Sequence, residues 1–408
     1  MSPVQARFIT ACQQLLALGV VLAVLTPAAG VLSLDIVGAH PAPTGAPALT
    51  GALASATVPT AAVESEVTEV PLTTRTGNAR SLAGSTLMRG SISATHVTSR
   101  PQAITGYGAV GVTWAHGEQI SEDGIEVLVR TQRDGAWSDW TTIAYHDDHG
   151  PDADSAEAAR ARPGTDPLII GDVDEVQVKA AVDGKDATTL PADLKLAVVE
   201  PGTAEDTETE TPAENPGQGE TSYDDAFKER GEGAMALQAA RTTPAMPTIY
   251  SRAQWGADES IRNKSSLRYG TVSAGFVHHT VNANDYTEAQ VPGIMRSIYA
   301  YHVKSRGWSD IGYNFLVDRF GRIWEGRYGG VDKNVVGAHT LGYNDYSFAM
   351  SAIGNFDVVE PSDVMLRAYG SLFAWKLALN GVNPASTAQQ VGRSTFAAIN
   401  GHRDAGST

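Results

Sequence analysis

Residues 201–233 carry ten carboxylates (Glu205, Asp206, Glu208, Glu210, Glu214, Glu220, Asp224, Asp225, Glu229 and Glu232) against Lys228 and Arg230, interleaved with Pro, Gly and Thr. Such a segment repels itself and has little apolar surface to bury, so it reads as an extended, solvated spacer. No single core can run through it, and a chain of 408 residues is long enough to bury a separate core on either side. The same segment holds half of the formal net charge of −16, which makes the acidity a property of the spacer. Neither flank shows the basic stripe of a phosphate-backbone binder, so no nucleic-acid partner is expected.

At the N-terminus Arg7 precedes an apolar run over 15–25, followed by Thr26-Pro27-Ala28-Ala29-Gly30. A short apolar run with a basic flank and small residues after it predicts a signal peptide over 1–30, hence a secreted or cell-wall-associated protein with no stable membrane insertion after cleavage. The run is shorter than the ~20 residues that span a bilayer; a buried helix or a retained anchor is the competing reading. The only cysteine is Cys12, so no intramolecular disulfide is possible. Residues 31–80, rich in Ala, Pro, Thr, Ser and Val with few aromatics, read as a disordered tether.

Over 81–200 the pattern shifts to short alternating apolar runs. Ile125, Val127 and Val129 share one strand face, Asp134-Gly135 marks a turn, and Val176, Val178, Ala180 and Val182 repeat at period two. This predicts a small all-β, sandwich-like accessory domain. Trp114, Trp137 and Trp140 fill its core or form a sugar-stacking platform. The polar stretch 146–167 reads as a long surface loop.

After the linker (201–243), residues 244–408 alternate strands and helices. Gly275–Val277 lead into His278 as a strand end, Pro292 opens a helix to 304, and residues 313–325 form a hairpin about Phe320-Gly321-Arg322. Residues 351–356 read as a further strand. A second helix starts at Ser362 or Asp363, carries Leu366, Tyr369, Leu372 and Phe373, and stops at Asn380-Gly381. The expected fold is an α/β C-terminal domain with a central mixed sheet flanked by helices.

His278, His339 and His402 each follow an apolar run, the position from which an imidazole reaches a sheet rim. Spacing alone says little more, because isolated histidines are often ordinary surface or core groups. The surrounding motifs say more. Ser251-Arg252-Ala253-Gln254-Trp255-Gly256-Ala257, Phe276-Val277-His278-His279-Thr280, Gly307-Trp308-Ser309-Asp310-Ile311-Gly312-Tyr313-Asn314-Phe315, Gly337-Ala338-His339-Thr340 with Gly342-Tyr343-Asn344, and Gly401-His402-Arg403-Asp404 occur in this order. Together, over 248–408, they closely resemble the peptidoglycan recognition protein family and the related phage-lysozyme-type N-acetylmuramoyl-L-alanine amidases.

The resemblance implies that His278 and His402 are ligands of Zn2+, and that Tyr313 lies beside the metal and polarises or protonates the scissile amide. It implies an oxyanion donor at Thr408 and a substrate groove touched by His339, Asn344 and Trp308. Asn344 may equally shape only its turn, and Trp308 may only pack. It also implies that His279 packs, that His302 is a buried hydrogen-bonded group, and that Arg252 and Trp255 are structural. In the catalytic family a cysteine ligand follows at what would be the second position past Thr408, so the 244–408 domain reads as C-terminally incomplete, with Asp404 a poor substitute. The partner implied is peptidoglycan and its muramyl peptides, met by a monomer. Two functions compete: a secreted zinc amidase cutting between N-acetylmuramic acid and L-alanine with zinc-activated water, and a non-catalytic peptidoglycan-binding module. A wall-associated structural protein is a third reading.

Overall fold

The alternating runs of the accessory domain fold as two facing antiparallel sheets. The computed structural model describes residues 56–72, 96–104, 107–171, 173–182, 190–210 and 244–406; the expected signal peptide, residues 211–243 of the linker and Thr408 lie outside the described residues. One sheet orders Glu66–Pro71, Lys195–Glu200, Gly108–Thr113 and Leu168–Ile170; the other orders His96–Thr98, Glu175–Val182, Ile125–Arg133 and Ala136–Trp137. Ile125, Val127, Val129, Val176, Val178, Ala180 and Val182 point between the sheets with Val110, Val112, Leu196 and Val198. Trp114 lies in this core, its indole N–H donating to Glu118 O at 3.0 Å. Trp137 and Trp140 do not: both hold the Arg130 guanidinium, at 4.6 and 4.8 Å from their ring centroids, a cation–π arrangement open to solvent.

The domain begins earlier and ends later than the 81–200 expected. Glu66–Pro71 pairs along the whole of Lys195–Glu200, and Ala56–Pro59 pairs with Thr207–Glu210. Glu66-Val67-Thr68-Glu69-Val70-Pro71 is an edge strand with only Val67 and Val70 turned toward apolar neighbours. Its polar remainder therefore hides it within tether-like composition.

In the C-terminal domain six strands form one mixed sheet in the order Ile249–Tyr250, Ile323–Glu325, Phe315–Val317, Ser347–Ala352, Ala274–His279, Ile399–Gly401. Pairing is parallel except between Phe315–Val317 and Ile323–Glu325, which form the expected hairpin. The strand anticipated over 351–356 runs Ser347–Ala352 instead, because Gly354 at φ 137° takes the chain out of the sheet.

Alternation assigns the two faces. Phe315, Val317, Phe348 and Met350 pack under the helix Asp363–Leu379, whereas Phe276, Leu316 and Ala349 face the helix Val291–Ala300. Ser362 caps the longer helix by accepting Met365 N–H. Leu366 does not join its core; it is 52% exposed. The shorter helix is buried at nine of its ten positions, because it also packs against the back of the accessory sheet, in one core with Ala109, Ile169, Ala197 and Val199. It ends in a π-helical turn, Tyr301–Ser305, whose Tyr301 ring lies on Gly111, where any side chain would collide with it. Tyr301 Oη donates to Thr165 O at 2.9 Å. The two domains thus meet through packed apolar surface.

Candidate metal centre

His278 is the fifth residue of the strand Ala274–His279, and His402 directly follows Ile399–Gly401. These strands pair in parallel with Val277 opposite Gly401, so the register sets the two histidines side by side. Their rings stack at 4.6 Å. Tyr313 arrives just before Phe315–Val317, two strands away, and its ring lies 5.4 Å from that of His278. His339 approaches to 5.6 Å from a loop. His278 Nε2 faces Thr340 Oγ1 at 3.3 Å, so Nδ1 is the nitrogen turned toward the site. Burial, then the neighbouring imidazoles, pushes His278 well below the ordinary range and His402 down to about 2. Both are therefore neutral, with free lone pairs. Burial pushes the Tyr313 phenol up, so it stays protonated.

The remaining predicted groove residues are buried. Asn344 Oδ1 accepts from the backbone of His339 and Thr340 at 2.8 and 3.1 Å, holding the turn that presents His339. Trp308 stacks on His302 at 4.4 Å, under the Arg306 guanidinium. Arg252 joins Glu259 and Asp310, and Trp255 Nε1 donates to Glu325 O at 2.8 Å, so both tie this domain's first turn to its sheet. His279 points away, accepting Phe356 N–H at Nδ1. A cleft of about 910 Å³ opens beside His278 and His402, with Val277, Leu366, Phe373 and Ile399 in its wall; His339, Asn344 and Trp308 do not line it.

What covers those three is residues 146–162, and here the surface-loop expectation is corrected. This strap crosses the C-terminal domain and is held by polar pairs. Asp152 Oδ1 accepts from Gly342 N and Asn344 Nδ2 at 2.6 and 2.7 Å, and Asn344 Nδ2 also donates to Gly150 O. Glu157 Oε1 accepts from Ser309 N at 2.8 Å and Arg327 Nη2 at 2.5 Å. The strap also delivers His149, whose ring stacks on His402 at 4.3 Å and whose Nε2 lies 3.0 Å from His278 Nδ1. Asp166 contacts the Nδ1 atoms of His149 and His146 at 3.0 and 2.7 Å. Those histidines keep its carboxyl well below the usual range despite burial, and its hydrogen bond lifts His146 to about 9. The available signal was His146-Asp147-Asp148-His149, two histidines three apart in an otherwise acidic turn.

Comparison with known proteins matches two families. Residues 268–408 match the N-acetylmuramoyl-L-alanine amidase family, and residues 56–221 match the Rv3811 N-terminal galactose-binding domain-like family. Peptidoglycan-recognition protein SC1a/b of Drosophila simulans is 38% identical over 117 residues, 28% of this chain and 60% of that protein. The N-acetylmuramoyl-L-alanine amidase of Homo sapiens is 36% identical over 125 residues, 30% of this chain and 20% of that one. The C-terminal domain belongs to the peptidoglycan recognition protein and N-acetylmuramoyl-L-alanine amidase family. Among solved structures, wild-type Drosophila PGRP-LB matches 39% of this chain and 85% of its own at 31% identity, with a TM-score of 0.32. The chain thus spans under two thirds of the curated relatives named.

The two domains together offer a donor set that suits zinc. His149, His278 and His402 place one ligand atom each within 4.8 Å of one another, and the His149 and His278 atoms, at 3.0 Å, approach the ~3.3 Å spacing of tetrahedral Zn–N bonds of ~2.0–2.1 Å. His402 Nε2 is buried without a hydrogen-bond partner, its nearest charged group being Asp148 Oδ1 at 3.5 Å.

The buried imidazoles also make stability pH-dependent. His302 Nδ1 accepts Gly312 N–H at 3.2 Å, and burial holds His302 well below its ordinary range and His339 at about 3. On unfolding both regain a pKa near ~6.5 and take up protons, so stability is present above that pH and falls below it, by up to about 1.4 kcal/mol per pH unit per histidine. Denaturant midpoints at pH 7.5 and 5 should show a clear drop on acidification, steeper than in a His302→Gln variant; equal slopes would contradict the neutral assignment.

Proposed function

We propose that the protein is a secreted peptidoglycan hydrolase, a zinc-dependent N-acetylmuramoyl-L-alanine amidase acting on cell-wall muramyl peptides as a monomer. The observation carrying this reading is the side-by-side placement of His278 and His402, with the Tyr313 phenol next to them, in a domain of the amidase family. The basic-flanked apolar run over 15–25 supports export. His278 through Nδ1 and His402 would hold the ion. Bound zinc supplies Lewis acidity and brings the pKa of a water down to ~7.

This chain's own residues do the remaining work. Thr340 Oγ1, at 3.3 Å from His278 Nε2, holds the orientation of the ring. Tyr313, protonated by burial, donates a hydrogen bond to the scissile amide as charge develops on it. His339, Asn344 and Trp308, which lie beneath the strap, are the proposed substrate contacts once it is displaced, and Thr408 is the proposed oxyanion donor.

Two measurements test this. Incubating the full chain with purified peptidoglycan should release stem peptides with new L-alanine amino termini. Wall binding without such release would instead identify a non-catalytic binding module. In Tyr313→Phe, zinc content should equal that of the wild type while turnover falls about 10²-fold, the usual scale for a lost acid or oxyanion donor. Full activity in Tyr313→Phe would remove that side chain from the mechanism.

A further inference from the structure

We propose that His149, carried on the accessory domain's strap, is a third protein ligand of the metal centre. The inference rests on the zinc reading above but concerns a residue outside the amidase-family domain.

The geometry argues for a ligand rather than a packing group. Asp166 contacts His149 Nδ1 at 3.0 Å, which places a ring proton on that nitrogen and turns Nε2 toward the site. His278 turns Nδ1 inward, with its Nε2 against Thr340 Oγ1 at 3.3 Å. The His149 Nε2 and His278 Nδ1 atoms face each other at 3.0 Å in a buried setting, a spacing that a proton or a shared ion can bridge. A third nitrogen, His402 Nε2, buried without a hydrogen-bond partner and 3.5 Å from Asp148 Oδ1, belongs to the same group. A carboxylate behind an imidazole is also the usual support of a metal-bound histidine. The strap is fixed on both sides of His149, by Asp166 and by the Asp152 and Glu157 pairs, so the ring is held in position before any ion arrives. Three imidazoles form a recognised zinc donor set.

Zinc K-edge absorption on the full chain counts imidazoles directly. The expected count is three in the wild type and two in His149→Ala, with zinc affinity in chelator competition weakened at least about 10-fold. Counting on the wild type keeps the test decisive even if His149→Ala folds poorly. An unchanged count and affinity in His149→Ala, alongside lost zinc in His278→Ala, would overturn the inference and leave the proposed function standing. A wild-type chain that takes up no zinc would overturn both.

Discussion

His278→Ala is expected to strip the protein of zinc and of stem-peptide release together. The residue sits on a central strand, paired on both sides, with its ring enclosed by Tyr313, His339, His149 and His402. No neighbouring donor can swing into its place without breaking the sheet register that sets it against His402. Loss of the metal removes several kcal/mol of transition-state stabilisation, so hydrolysis should drop by about 10³-fold or more. The next residue gives the control: His279 points to the opposite face of the strand and accepts Phe356 N–H, so His279→Ala should keep its zinc. Stoichiometric zinc by elemental analysis in purified His278→Ala would sink the proposed centre, whatever the activity.

The second large effect is structural. Glu157→Ala removes the carboxylate that meets Arg327 Nη2 and Ser309 N. Arg327 cannot retreat to water, because its other nitrogens donate to Ile311 O and Val336 O at 3.1 and 3.0 Å. A buried guanidinium would be left without a counter-charge, a loss of about 3–5 kcal/mol. Because Glu157 belongs to the strap, the loss should appear first as release of residues 146–162 from the C-terminal domain. Amide hydrogen exchange in that segment should accelerate before the central sheet responds. Unchanged protection there, with an unchanged melting temperature, would show that the pair contributes nothing to holding the strap.

The sheet was legible from its apolar runs, whereas the pairing of His278 with His402 was implied by the resemblance carried by the Phe276–Thr280 and Gly401–Asp404 motifs, apolar runs alone saying only that each histidine ends at a rim. The hairpin at Gly321 and the helix cap at Ser362 were legible from local turn and capping chemistry. Two features were not. Glu66–Pro71 buries little apolar surface, and an edge strand needs little, so composition could not separate it from a tether. The strap failed for another reason: polarity reports that a group needs a partner, not whether water or protein supplies it. Asp152, Glu157 and Asp166 are buried because Asn344, Arg327, His146 and His149 await them, and that match links residues far apart in sequence. Leu366 shows the converse, an apolar residue on the anticipated helix face left at the cleft rim.

The tethering of Asp152 and Glu157 to the same chain as Asn344 and Arg327 has an energetic consequence for any incoming acidic peptide. An intramolecular competitor acts at an effective concentration on the order of millimolar or above, whatever the dilution of the protein. Any ligand using those donors would therefore bind with its intrinsic affinity multiplied by the fraction of molecules whose strap has swung clear. Under the proposed function, polymeric wall, with many stem peptides at high local density, would compete better than a single soluble muropeptide.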